Sequence, residues 1–289
     1  MKHNENDNVA TLRNFANKAD SGRECAMGTA SADDLASIHV ELQDAVAIVH
    51  LARSAKRNAL NDETVFLLER WFSRPPEQVK AVVLVGDGDH FCAGLDLSEL
   101  KERSVAEGVL HSRSWHRAFE PIEFGTLPVV AVLHGAVVGG GLELAAAAHI
   151  RVAEASTFYA LPEGSRGIYV GGGASVRVPK LVGVARMMDM MLTGRTYGAD
   201  EGYAIGLSQY VVPNGEGLNK GIEIAKKIAG NAPLTNFALV QALPRIAESG
   251  PAAGYLLEAL MAGVAQGDPA AKARLSAFLE GRAAKVQHR

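Results

Sequence analysis

From Ser37 onward the apolar residues fall into short blocks whose spacing switches between the two-residue and the 3.6-residue period. The segment SIHVELQDAVAIVHLA predicts two short strands about a turn at Gln43-Asp44. NDETVFLLERWF opens on Asn-Asp, carries acid in its first turn and then spaces its apolar residues as a helix does. VKAVVLVG is an unbroken apolar run of the kind found in a strand buried on both faces. A charged, helix-patterned stretch from about Leu97 to Phe124 separates it from a second such strand, LPVVAVLHG, and HIRVAEASTFYA contains a third. Alternation of buried strands with helices predicts an α/β architecture with a largely parallel sheet. From Gly172 the pattern is mainly helical, through ASVRVPKLVG, VARMMDMMLTG, GADEGYAIG, GLNKGIEIAKKIAG, PLTNFALVQALPRIAES and PAAGYLLEALMAGVAQ, with one short strand at SQYVV.

Residues 1–36 are polar and show no sustained periodicity, which predicts a flexible tail with at most a short helix near Leu12 to Lys18. The chain therefore divides into that tail, a core at 37–213 and a C-terminal helical region at 214–289. No apolar run reaches the roughly 18 to 20 residues that span a bilayer. The polar N-terminus lacks the apolar stretch of a signal peptide.

Composition narrows the function classes. A formal net charge of −3 gives no electrostatic reason to expect a nucleic acid or a membrane as partner. Two cysteines, Cys25 and Cys92, form no disulfide framework and lack metal-ligand spacing, which fits a reducing, cytoplasmic setting. His111, His116, His134 and His149 predict helix-face or turn roles rather than a metal cluster.

The candidate chemistry lies where glycine meets helix. GAVVGGGLELAAAAH, residues 135 to 149, puts four glycines in seven residues ahead of an alanine run. It has no Lys-Ser/Thr after its last glycine and no G-x-G-x-x-G, so it is neither kind of nucleotide loop. On its residues alone it fits a close-packed strand-to-helix turn. It equally fits bare backbone N–H groups, at the positive end of a helix dipole, aimed at an oxygen acquiring charge. GDGDHFCAGLDLSEL, residues 86 to 100, offers a second glycine turn after a buried strand. Two such turns can place two N–H groups on one oxygen. Glu143 reads either as a carboxylate favourable to a helix start or as a group facing the same pocket, and Glu163 in ALPEG as a turn residue or its partner.

HFCAGLDL, HGAVVGGGLELAAAAHIRVA, FYALPEGSRGIYVGGGASVRVPKLVG and LTGRTYGADEGYAIGLSQYVV, in that order, resemble the crotonase superfamily of enoyl-CoA hydratases and isomerases. The resemblance runs from about Ser37 to Arg282. It implies a spiral of ββα units with a C-terminal helical region that builds trimers, often paired into hexamers, and an acyl-CoA thioester as substrate. Carried onto this sequence, it implies oxyanion donors at the backbone N–H groups of Leu95 and Gly140 and catalytic carboxylates at Glu143 and Glu163. It further implies CoA and substrate contacts at Lys56, Arg57, Ala59, Ala93, Asp96, Leu97, Gly139 and Pro162, with Lys56 and Arg57 on the nucleotide phosphates. No cofactor is implied beyond the CoA that the substrate carries.

The activity implied first is hydration of a 2-enoyl-CoA to a 3-hydroxyacyl-CoA. Double-bond isomerisation is the alternative, followed by a thioester hydrolase or lyase, and last a non-catalytic acyl-CoA-binding protein. The family's dienoyl-CoA isomerases carry an additional acid where this chain has Gly171. Val170 stands where many members have proline, and Arg166 fits either the acyl pocket or a subunit contact.

Overall fold

The hairpin predicted at the start of the core is present: β1 (Ile38–Gln43) and β2 (Val46–Leu51) pair antiparallel, and Asp44 takes a positive φ of 55° in the turn between them. The computed structural model describes residues 37–99 and 102–282. The tail expected at 1–36, its short helix at Leu12 to Lys18 and Cys25 lie outside the described residues.

In chain order the strands that follow are β3 (Ala81–Gly86), β4 (Val129–Leu133), β5 (Ala136–Val138), β6 (Ile150–Glu154), β7 (Phe158–Ala160), β8 (Tyr197–Gly198) and β9 (Tyr210–Val212). A six-stranded sheet runs in the order β1-β2-β3-β4-β6-β9, parallel throughout except at β1, and β5-β7-β8 form a second, smaller sheet. The helices are α1 (Asp62–Ser73), α2 (Val105–Glu123), α3 (Gly140–Ala147), α4 (Ala174–Val182), α5 (Val184–Thr193), α6 (Ala199–Ile205) and α7 (Gly217–Ala229). They continue with α8 (Pro233–Phe237), a π-helical turn at Ala238–Ala242, α9 (Leu243–Glu248), α10 (Pro251–Gly267) and α11 (Pro269–Leu279). Among the described residues no helix is long and apolar enough to cross a membrane.

The continuous apolar runs of β2, β3 and β4 are explained by cover on both faces. Ala47, Val49, Leu51, Val82, Leu84, Ala131 and Leu133 pack into one core with α1, α2 and α3. The alternate residues Val46, Ile48, Val83, Val130 and Val132 pack on the other side against Ile224 and Ala225 of α7. The first helix of the expected C-terminal region thus completes the sheet's second core. It sits so close that a Cβ on Gly221 would lie 2.5 Å from a methyl of Val132. Asn61 starts α1 by accepting from the N–H of Thr64 at 2.9 Å, and Ser104 with Glu107 forms a capping box at α2.

The structure departs from expectation mostly at short elements. HIRVAEASTFYA holds two strands rather than one, and Ala136–Val138 and Tyr197–Gly198 are strands as well. Two or three residues are too few to show a period. The helix predicted from about Leu97 begins only at Val105, after a 3₁₀ turn at Leu97–Glu99, and α11 falls within the helical region expected at 214–289.

Because α7 rests on the sheet at Gly221, Gly221→Val should lower stability by about 1–3 kcal/mol through overpacking against Val132 and Val83. Urea unfolding of the variant beside the wild type measures this.

Candidate active site

Loops at the carboxyl ends of parallel strands build the site, where open α/β sheets gather ligands. The loop after β2 is laced to the loop after β3. Ala93 N–H donates to Arg57 O at 3.0 Å, Leu60 N–H to Gly94 O at 2.7 Å and Asp96 N–H to Leu60 O at 2.8 Å. The backbone groups of residues 94 and 96 are thereby turned toward Leu60, and the alternating pleat points the Leu95 N–H the other way. It faces the start of α3, whose first N–H groups have no intrahelical partner. A Cβ on Gly140 would lie 3.5 Å from Leu95 N, and one on Gly94 would lie 3.4 Å from Gly140 N. The two amides expected as a pair stand side by side.

The run of three glycines also has a local reason. Gly139 caps α3 at φ 53°, and a Cβ there would lie 2.6 Å from Glu163 Oε1. On Gly141 it would overlap the backbone oxygen of Cys92. A side chain at Gly141 would push α3 off the loop that carries Leu95, and one at Gly140 would meet the Trp115 ring.

Glu143 and Glu163 are both buried, but differently. Glu143 Oε1 accepts from the N–H of Gly172 at 2.8 Å and of Ala174 at 3.0 Å. Burial pushes its pKa up, while the bonds from Ala174 and Gly172 and the charge of Arg177 oppose that rise. Glu163 Oε2 has no hydrogen-bond partner among the described residues. Burial, with the charge of Glu143 adding to it, pushes Glu163 up to about 7. One carboxylate is held in place by donors, and the other is poised near neutrality with a free oxygen.

A cavity of about 350 Å³ joins these groups: Leu95, Gly140, Glu143 and Glu163 line it. Trp115, Ser112, His111 and Gly108 of α2, Arg103, and residues 168–172 form the rest of its wall. Trp115 is buried and packs over Gly140 and Gly172. A groove of about 470 Å³ begins on the other side of Leu95, lined by Lys56, Arg57, Ala59, Ala93, Asp96, Leu97 and Pro162. Every expected contact residue except Gly139 is therefore brought to one groove. Gly139 sits behind Glu163. The Asp96 carboxylate is engaged within the loop itself. It accepts from Ser98 N–H and Oγ and from Arg53 Nη2 at 2.8 Å, and those bonds hold it down at about 2. Its evident work is to pin the turn that presents Leu95. Arg166 lines the groove, not the cavity that holds Glu143 and Glu163.

The chain matches the enoyl-CoA hydratase/isomerase family over residues 41–289. The chain belongs to that family. It is 34% identical over 215 residues to the short-chain-enoyl-CoA hydratase of Clostridium acetobutylicum, covering 73% of this chain and 82% of that one. It is 42% identical over 151 residues to the fatty acid oxidation complex subunit alpha of Shewanella amazonensis, which is 51% of this chain but only 21% of that longer protein. Among solved structures, a Rhodopseudomonas palustris CGA009 protein, itself provisionally an enoyl-CoA hydratase, superposes with a TM-score of 0.83 at 56% identity. That match covers 90% of this chain and 100% of the other.

Membership in the hydratase/isomerase family gives the crotonase fold expected from the sequence, and the smaller β5-β7-β8 sheet with α3 carries its working half. Sequence reading passed over several groups that shape the site. The amides of Gly172 and Ala174 hold Glu143, and Asp62 bonds His111 at 2.8 Å on the cavity wall. The glycine run at 171–173 was the available signal for the first. His149 is a neutral cross-link between Val129 N–H and Glu123 O, with its pKa pushed by burial down to about 4. His39, His50 and Asp87, unremarked in the sequence, bring donor atoms within 4.8 Å of one another. Their imidazoles stack at 4.2 Å and 13°, so the lone pairs run parallel instead of converging on a metal.

The raised Glu163 makes stability depend on pH. Below about 4.5, its ordinary value, folded and unfolded chains both carry the proton. Between there and about 7 the unfolded chain ionises first, so the wild type loses stability as pH rises. Glu163→Gln lacks this loss. Its stability relative to wild type should improve by on the order of 2 kcal/mol between pH 4.5 and 8. Thermal denaturation of both proteins across that range reads the difference.

Proposed function

We propose that the enzyme hydrates a 2-enoyl-CoA to the 3-hydroxyacyl-CoA. The carrying observation is the unequal pair of buried carboxylates beside two convergent backbone amides on one cavity. The thioester oxygen sits between the Leu95 and Gly140 N–H groups, which stabilise the enolate-like charge as it develops. Glu143, ionised and anchored through Oε1, orients a water molecule and takes its proton while the oxygen bonds to the β-carbon. Glu163, protonated near neutrality, gives its proton to the α-carbon. Proton exchange with solvent restores both groups. Acid–base chemistry supplies every transfer, so this reading calls for no cofactor beyond the CoA of the substrate. The nucleotide end lies in the groove, with Lys56 and Arg57 at its phosphates.

The same reading places the protein in the cytoplasm, where the buried free thiol of Cys92 stays reduced. It also makes the protein a homotrimer, or a hexamer of paired trimers. The support is apolar surface on the last two helices, where Tyr255 is 73% exposed, Leu256 62% and Leu279 75%, more than a lone soluble subunit ordinarily leaves in water. Sedimentation should give a trimer or larger at micromolar concentration, and a stable monomer would refute this assembly.

The decisive experiment follows ultraviolet loss of the conjugated double bond on a panel of enoyl-CoA thioesters, together with product mass. Gain of one water is expected, and unchanged mass would mean isomerisation. Glu143→Gln and Glu163→Gln should each lower kcat by on the order of 10² to 10⁴, with binding retained because the oxyanion donors are backbone. The wild-type kcat/KM should fall as pH rises through about 7, where Glu163 loses its proton, and that limb should vanish from the residual activity of Glu163→Gln.

A further inference from the structure

Behind Glu143 lies a buried ion pair that the chemistry described so far does not use. Arg177 on α4 is 9% exposed. Its Nε donates to Glu123 Oε2 at 2.6 Å and its Nη1 to the carbonyl of Gly172 at 2.8 Å. That carbonyl belongs to the peptide joining residues 172 and 173. On either side of it lie the two peptides whose N–H groups, at Gly172 and Ala174, converge on Glu143 Oε1. Holding the central peptide fixes the other two. Gly173 adopts φ 106°, and a Cβ there would overlap the Arg177 guanidinium, so the loop is moulded against that group. The far end is tied as well, since the backbone oxygen of Glu123 faces His149 Nε2 at 3.1 Å.

We propose that Arg177, braced by Glu123, is a positioning residue for hydration: it aims the Gly172 and Ala174 amides at Glu143 and supplies the positive charge facing that carboxylate. The proposal rests on the base role given to Glu143 above. Other charged or titratable groups around Glu143 are Glu163 on the opposite wall, Arg103 and His111 farther along the cavity, and His116, which is close enough to Arg177 to sense its charge. Burial disfavours the charged form of Glu143; Arg177 opposes this directly by its charge and indirectly through the amides. Glu123 offsets part of the arginine's charge, so the two halves of the pair act on Glu143 with opposite sign. A brace that served packing alone would show no such opposition.

The test measures kcat and kcat/KM against pH for hydration of crotonyl-CoA by the wild type, Arg177→Met, Arg177→Lys and Glu123→Gln. Circular dichroism confirms folding at each pH. Arg177→Met should lose at least tenfold in kcat with KM within about twofold, and its acid limb should move up by about one pH unit. Glu123→Gln should move the same limb down. Arg177→Lys should keep the limb near its wild-type position yet recover only part of kcat, since an ammonium cannot span both partners as the planar fork does. An unmoved limb in Arg177→Met, or shifts of the same sign in Arg177→Met and Glu123→Gln, would overturn the proposal. If Arg177→Met does not fold, the opposed behaviour of Glu123→Gln and Arg177→Lys decides. If the wild type hydrates no enoyl-CoA, the function proposed above fails by itself. The same opposed shifts are then sought in the infrared carboxyl band that Glu143→Gln removes, and their absence there would overturn the positioning role.

Discussion

Two backbone amides from separate strand ends must meet at one point, and the rest of the structure is arranged around that requirement. Neither Leu95 nor Gly140 contributes a side chain to the meeting, so no substitution of a functional group could build it; only the path of the chain can. The path is set by the laced loops after β2 and β3, and by three glycines that let α3 settle against them. The parallel sheet below holds both loops at the same height. Burial on its two faces, by α1 to α3 on one and α7 on the other, keeps that height from varying.

The carboxylates show how one small cavity can give two like groups unequal surroundings. The charge of Glu143 adds to the rise that burial imposes on Glu163, while the donors and Arg177 oppose the rise that burial imposes on Glu143. The asymmetry comes from the α4 end of the loop, where the amides of Gly172 and Ala174 point at Glu143. Glu163, across the cavity, stands on a turn after β7 that offers its Oε2 nothing. An unsatisfied buried oxygen is costly in a folded protein. Here the same burial pushes the Glu163 carboxyl up to about 7.

The long elements were legible because their periods are long enough to count: β2, β3 and β4 as unbroken apolar runs, α1 from its Asn61 cap and spacing. The oxyanion pair and both glutamates were legible through glycine turns following buried strands and through the family resemblance those turns carry. What stayed hidden depended on distance in sequence. Arg177 and Glu123 are separated by 54 positions and read singly as ordinary charges. Asp96 is a ligand contact only by the family resemblance, and its bonds to Arg53 and Ser98, which tie the carboxylate into the turn, link positions too far apart or too ordinary to be read in the sequence. His39 and His50 became neighbours through the strand register, not through spacing.

Leu95 belongs to both cavities, so the two ends of the thioester proposed above would meet at a single residue of a single loop. That loop is tied by Ala93 to the carbonyl of Arg57, on the segment proposed above for the nucleotide. In the hydration proposed above, grip on the distant phosphates would pass through a few peptide bonds to the amide that meets the reacting oxygen. A handle that takes no part in the chemistry would then lower the barrier as well as secure the molecule, and an acyl group presented on a truncated carrier would turn over slowly even when it saturates the pocket.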